Sequence, residues 1–421
     1  GNEWCVLDTA PSKAEKLNQS EKRRDSQLTT KTKKGMFSSE SEDWPRSHCL
    51  EGNLKHSLLK NISISRKESK PRISVDGEWS LHLLIAASSN MLNLIKVPQV
   101  LTINQVPKVF HEDGIISGYR HPCSSAKDCV LSLFQLTNET LNIWTHFLPT
   151  WFFLWKLLTV VLVQGNWQDP FIWPLLLFLL SCCVYPLASS CAHTFSTMSE
   201  RARHICFFFD YAALSFYSLG SALTYSSYSF PDQWVNGTFH KYYVTVAVAN
   251  SVISTSLACY SRLGLPFLQY NYHSVKRPSG NINQTLCKSL RITAFIFVCV
   301  GESCTVNKAN SVHFQHISLA FFTGFLFATH LPERLAPGSF DYIGHSHQLF
   351  HVFAIIGTYF QMTAIELDMA ARREWLYAHL TLITLSNTVG AALFGVLGGL
   401  CIVYVFGFAL FSTRGVKHKE V

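Results

Sequence analysis

Charge is what this chain has least of. Asp, Glu, Lys and Arg make up 15% of its 421 residues, well under the quarter or so usual in soluble globular proteins. An ordinary water-soluble fold over the whole length is therefore excluded. The net charge of +8 is thinly spread, and no basic run is interleaved with aromatics, which argues against a nucleic-acid partner. A modest basic excess in short loops suits an anionic cytoplasmic leaflet instead. The 13 cysteines are an odd number with no repeated C-x-x-C pair, so nothing here reads as a secreted disulfide framework. Cys182, Cys183, Cys191, Cys206, Cys259 and Cys299 fall in or beside apolar runs, where a thiol packs as a small hydrophobe.

Apolar residues are plentiful, at 48%, but unevenly placed. Residues 1–90 mix Lys, Arg, Ser and acids without apolar period, and such composition reads as a disordered tail. Its one apolar stretch, WSLHLLIAAS, is too short to cross a bilayer. Met91 precedes the first coherent sequence, and native translation is expected to start there. Residues 91–142 read as a juxtamembrane segment, 143–412 as a membrane bundle and 413–421 as a C-terminal tail. Within 97–122, apolar and polar residues alternate as in a segment lying along a membrane surface. Pro98 and Pro107 interrupt any single long helix there.

A helix needs about 20 apolar residues to cross the hydrocarbon core. Clear runs are Trp144–Val163, Phe171–Ser190, Ile205–Ser226, Tyr242–Tyr260, His313–Leu331, Ile343–Leu367 and Ala391–Phe411. Between the fourth and His313 lies a short one, Ile292–Val300, flanked by Lys288 and Arg291. The fold class is all-α: a multi-pass transmembrane helical bundle with an abnormally short fifth span. Positive charge marks cytoplasmic loops. Arg201 and Arg203 follow the second run, and Arg262, Lys276, Arg277, Lys288 and Arg291 follow the fourth. The alternate loops carry the acidic QGNWQDP and the Asn236-Gly-Thr glycosylation acceptor. This pattern predicts a cell-membrane protein with a cytoplasmic N-terminus.

Ionisable groups inside a span are costly and so mark function by default. His193 ends the second run, Asp210 sits near the start of the third, and His347 and His351 open the penultimate one. His347 and His351 are four residues apart, so both imidazoles project from one helix face. The predicted topology brings all four groups to one depth at the cytoplasmic face, provided the short fifth segment crosses. Three neutral imidazoles leave one tetrahedral position for water, the pattern of a catalytic zinc. Asp210 and Ser189, one turn before His193, are the candidate catalytic groups that would hold or deprotonate that water. A lone membrane histidine is more often a hydrogen-bonded packing residue; three with an aspartate at matched depth favour Zn2+. HSHQLFH lacks a Glu after its first His, which excludes the zinc-protease motif. A second polar stripe, Glu139, Asn142 and His146, starts the first span and reads as polar glue between helices.

SGYRHP, NETLNIWTH, SSCAHTF, Asp210 and LPERLAPGSFDYIGHSHQLFH together resemble the progestin and adipoQ receptor family. The resemblance runs from about Met91 to the C-terminus, and HLPERLAPG with the extra last span resembles its membrane progestin receptor branch. It implies a seven-helix core plus an eighth C-terminal span, zinc ligands at His193, His347 and His351, and an Asp and Ser pair at Asp210 and Ser189. It also implies a progestin steroid or sphingolipid ligand among membrane lipids, rapid signalling and heterotrimeric G proteins as partners. The sister adiponectin branch is similar to alkaline ceramidases, so the alternative is a zinc-dependent ceramide amidohydrolase. RITAFIFVCVGES is shorter than the family's fifth span.

Overall fold

In hydrocarbon, a helix satisfies every backbone group within its own segment, and the apolar runs fold accordingly. A computed structural model describes residues 99–163, 168–263, 308–379 and 381–417. Among them lie eight α-helices: α1 (Ala126–Leu131), α2 (Thr140–Leu162), α3 (Trp173–Phe195), α4 (Glu200–Thr224), α5 (Thr238–Leu263), α6 (Lys308–Thr329), α7 (Ser346–His379) and α8 (Ala391–Lys417). Six helical segments are long and apolar enough to cross a membrane: Thr140–Leu162, Pro170–Phe195, Glu200–Ser229, Thr238–Leu263, Ser346–His379 and Ser386–Ser412. The molecule is a multi-pass helical membrane bundle. Helix α6 covers the expected run from His313 but is not among the six; His313, Gln315 and His316 dilute its first half. The expected tail 1–90 and the fifth run Ile292–Val300 lie outside the described residues.

Local chemistry sets the helix ends. Ser199 caps α4 by accepting from Ala202 N, with Glu200 in the first turn facing the positive end of the helix dipole. Asp169 accepts from Phe171 N at 2.9 Å ahead of Pro170, starting the span that becomes α3. Helix α7 starts three residues later than the apolar pattern suggested. Gly344 turns there with φ +90, and the Glu333 carboxylate accepts from Ser346 N at 2.7 Å, capping α7 from a distant loop. α7 then continues to His379, beyond the expected end at Leu367.

In the bundle, α2 packs on α3 and α7, α3 on α4, α4 on α5, and α6 on α7, while α8 lies against α4 and α5. Phe153, Phe178, Leu179, Met362 and Ile365 form the dry centre. One end of the bundle carries His193 and the starts of α4 and α7. The other holds a polar cluster that the sequence pattern did not single out. There Asp368 of α7 accepts from Ser229 Oγ at 2.6 Å and from His313 Nε2 at 2.9 Å. Arg372, one turn on, donates to the carbonyls of Tyr228 and Phe230 and pairs with Asp232. Helix α5 ends at the histidine end, with Arg262 donating to Tyr211 at 3.1 Å, whereas α6 begins beside Asp368.

The last helix seats by close approach. A Cβ placed on Gly398 would stand 2.7 Å from Val252 Cγ2, whereas one on Gly407 would meet nothing within 4 Å. Valine is stiff about χ1 and cannot swing aside. Gly398→Leu is therefore expected to cost about 1–3 kcal/mol by overpacking and to lower the thermal midpoint in detergent, with Gly407→Leu as the neutral control. Equal midpoints for the two variants would contradict this seating.

Candidate metal and ligand site

The last turn of α3 and the first turns of α7 present His193, His347 and His351 to one another. One ring nitrogen from each lies within 4.8 Å of the other two, and the Nε2 atoms of His193 and His347 are 3.2 Å apart. All three residues are at least half-buried. The hydrogen bonds behind the rings decide which nitrogen faces inward. His193 Nδ1 donates to Glu139 Oε2 at 2.8 Å, and His351 Nδ1 donates to the Asn142 carbonyl at 3.0 Å. These bonds fix the tautomers and leave Nε2 lone pairs at the centre, the arrangement usual behind metal-ligating histidines. Two nitrogens bound tetrahedrally at about 2.0–2.1 Å from zinc sit roughly 3.3 Å apart, so the His193–His347 spacing fits. Neutral imidazoles with no thiolate or acid in the set suit zinc better than calcium or magnesium.

The stripe read as helix glue belongs to this site. Glu139, just before α2, accepts from His193 and also from Asn142 Nδ2 at 2.7 Å. Burial on its own would raise the Glu139 carboxyl; His193 and the nearby Arg120 and Arg203 outweigh it and hold the group well below the usual carboxylate range. It is an ionised, acceptor-only partner. His146 stacks face to face on His351, with ring centroids 3.7 Å apart and planes 4° from parallel. Sequence spacing showed the stripe but not its target, because the partners are 54 and more positions away.

Residues 99–122 lie at the histidine end. They fold through short turns across it, closed by the Leu101–Tyr119 bridge. Arg120, 7% exposed, reaches the end of α3. It donates to the carbonyls of His193 and Thr194, the latter at 2.8 Å, and to Ser132 and Ser196. Glu112 pairs with Arg203 of α4. Asp341 accepts from the backbone of Ile116 and Ser117 at 2.9 and 2.8 Å, tying this cap to the loop before α7. Sequence reasoning gave Arg120 no role; a lone arginine two residues before a proline gives no periodic signal.

A cavity of about 490 Å³ opens onto the triad and is walled by residues of α2 to α7. Asp210 and Ser189 both line it, as a role beside a bound water would require. Apolar walls come from Leu214, Ala320, Phe327 and Phe353. Deeper in, Tyr185 and Thr358 share a hydrogen bond at 3.0 Å and Thr358 donates to Tyr217 at 3.0 Å. Drug-sized ligands occupy pockets of roughly 300–1,000 Å³ with mostly apolar walls and a few convergent polar groups. The cavity has that character.

Fold and site define a class: a helical membrane protein with a buried histidine triad at one end of a lipophilic cavity. Its sequence matches the family described as Haemolysin-III related over residues 134–362, and the chain belongs to that family, which includes the progestin and adipoQ receptors. Among individual proteins, it is 81% identical to membrane progestin receptor gamma-A of Danio rerio over 344 residues, 78% of this chain and 100% of that one. Human membrane progestin receptor gamma is 49% identical over 345 residues, covering 78% and 99% of the two chains. Human membrane progestin receptor delta is 51% identical over 318 residues, 75% and 92% of the two.

Proposed function

We propose that this chain is a membrane receptor for a progestin-type steroid, with Zn2+ held by His193, His347 and His351 at the inner wall of the steroid cavity. The observation that carries the reading is the largely apolar cavity of about 490 Å³ above the triad. It occurs in a chain 81% identical, along the relative's whole length, to a protein named as a progestin receptor. The amidohydrolase alternative is not favoured, since the relatives above are named receptors. When bound, zinc would supply positive charge able to polarise a ligand oxygen. Glu139 orients His193, the Asn142 carbonyl orients His351, and Asp210 and Ser189 would offer polar contacts from the wall of the same cavity. The reading includes a cytoplasmic N-terminus, supported by Arg201, Arg203 and Arg262 at the histidine end, and rapid signalling through heterotrimeric G proteins.

Radiolabelled progesterone is expected to bind the purified protein saturably in lipid nanodiscs; only non-saturable uptake would overturn the receptor reading. Glu139→Gln keeps the shape but exchanges a carboxylate for a neutral amide behind His193. Loss of such an orienting partner typically costs ten- to a hundredfold in metal affinity. Zinc competition against a fluorescent chelator measures this, and an unchanged affinity would remove Glu139 from the site.

A further inference from the structure

A charged pair sits on the outer face of the bundle, between α2 and α7. Lys156 of α2 donates to both carboxylate oxygens of Glu366 of α7, at 3.2 and 3.4 Å. Both residues lie inside segments long and apolar enough to cross a membrane, yet their side chains are 27% and 33% exposed. Ionisable groups within spans almost always face the bundle interior or a water-filled cavity. Asp210 does so by lining the cavity, and Asp368 by being buried; this pair does not. A lysine so placed ordinarily snorkels to the headgroups. Lys156 is instead tied sideways to a short glutamate that cannot follow it there.

Exposed apolar side chains flank the pair on both helices. On α2 they are Trp151 and Trp155; on α7 they are Val352, Ile356 and Tyr359. The α7 series advances by four and then three residues, the step of a helix–helix seam, and Glu366 stands one heptad beyond Tyr359. Apolar exposure alone suits lipid tails. The ion pair needs a cover that offers both signs of charge at its own depth.

We propose that this α2–α7 face docks a second copy of the chain, related by a two-fold axis along the membrane normal. Such a rotation keeps every residue at its depth and reverses the order of the two helices. Each α2 then faces the α7 of the other copy. Lys156 and Glu366 share one depth because they are hydrogen-bonded, so the rotation sets each lysine against the other copy's glutamate. A surface carrying both charges is self-complementary, as a two-fold dimer requires. The ammonium has three donors and uses two within its own chain; the third meets the other copy's carboxylate. A partner of one charge sign would leave half of the pair uncovered.

Copies carrying donor or acceptor fluorophores, co-expressed in membranes, report association by energy transfer. Wild-type transfer is expected to saturate as acceptor density rises. Lys156→Ala paired with itself, and Glu366→Ala paired with itself, should each weaken association severalfold or more. Lys156→Ala paired with Glu366→Ala keeps one ion pair across the interface and should recover at least half of the wild-type association. A pair acting only within one chain cannot be rescued in this way, because neither chain regains its own partner. A second readout leaves the charges untouched. Oxidative cross-linking of Tyr359→Cys should yield covalent dimers severalfold above the wild-type background, whereas Phe394→Cys, exposed on α8, should not. Wild-type transfer that rises only in proportion to density, as for lipid-covered monomers, would overturn the inference. So would saturable transfer that the mixed pair fails to rescue, or cross-linking no stronger at Tyr359 than at Phe394.

Discussion

His347→Ala is expected to leave the purified protein with less than about a tenth of the wild-type zinc. Zinc sites with three protein ligands depend on each of them, and this triad has its ligating atoms within 4.8 Å of one another. Removing one imidazole leaves two nitrogens in a buried, largely apolar setting with no acid in the ligand set to substitute. Structural zinc in small domains contributes about 10–16 kcal/mol of apparent binding energy, so even a modest fraction of that figure makes the loss large. Elemental analysis of protein purified without chelators reads it directly. Full zinc occupancy in the variant would take the metal out of this site.

Arg120→Met is expected to be the most damaging change at the cap. The guanidinium serves the end carbonyls of α3, where a helix has unsatisfied acceptors and the negative end of its dipole. It also donates to Ser132 and Ser196. Methionine matches the stem but leaves the buried Thr194 carbonyl without its guanidinium donor and the His193 carbonyl with Ser196 Oγ alone. Losing hydrogen bonds from a charged donor and leaving a buried acceptor unsatisfied costs about 1–3 kcal/mol, which corresponds to a fall in midpoint of several degrees for a chain of this size. Fluorescence-monitored melting in detergent measures it. An unchanged midpoint would mean that the cap does not hold the histidine end.

Much of this was legible because membranes penalise polarity. His193, Asp210, His347 and His351 stand out from apolar runs, and the four-residue spacing of the last pair names a shared helix face. The helices themselves were readable for the same reason, although α7 runs past its apolar stretch to His379. What the pattern hid were contacts between distant segments. Glu139 looked like a helix start, and only the fold brings it 2.8 Å from His193. Arg120 lay in a stretch whose alternation named no partner for it, because a loop cap that packs on one side also alternates. The Asp368–His313 pair escaped attention since each partner sits at the edge of a long run, where charges are cheap. The histidine triad depends on a topology that brings α3 and α7 to one end, and the described helices meet there.

The zinc proposal meets its most direct test in X-ray absorption at the zinc edge, on wild-type protein purified without chelators. The expected spectrum shows about one zinc per chain, with three imidazole nitrogens at roughly 2.0–2.1 Å and one further light-atom ligand. A protein free of zinc, or one whose zinc is held by sulfur at about 2.3 Å, would contradict a site built from His193, His347 and His351.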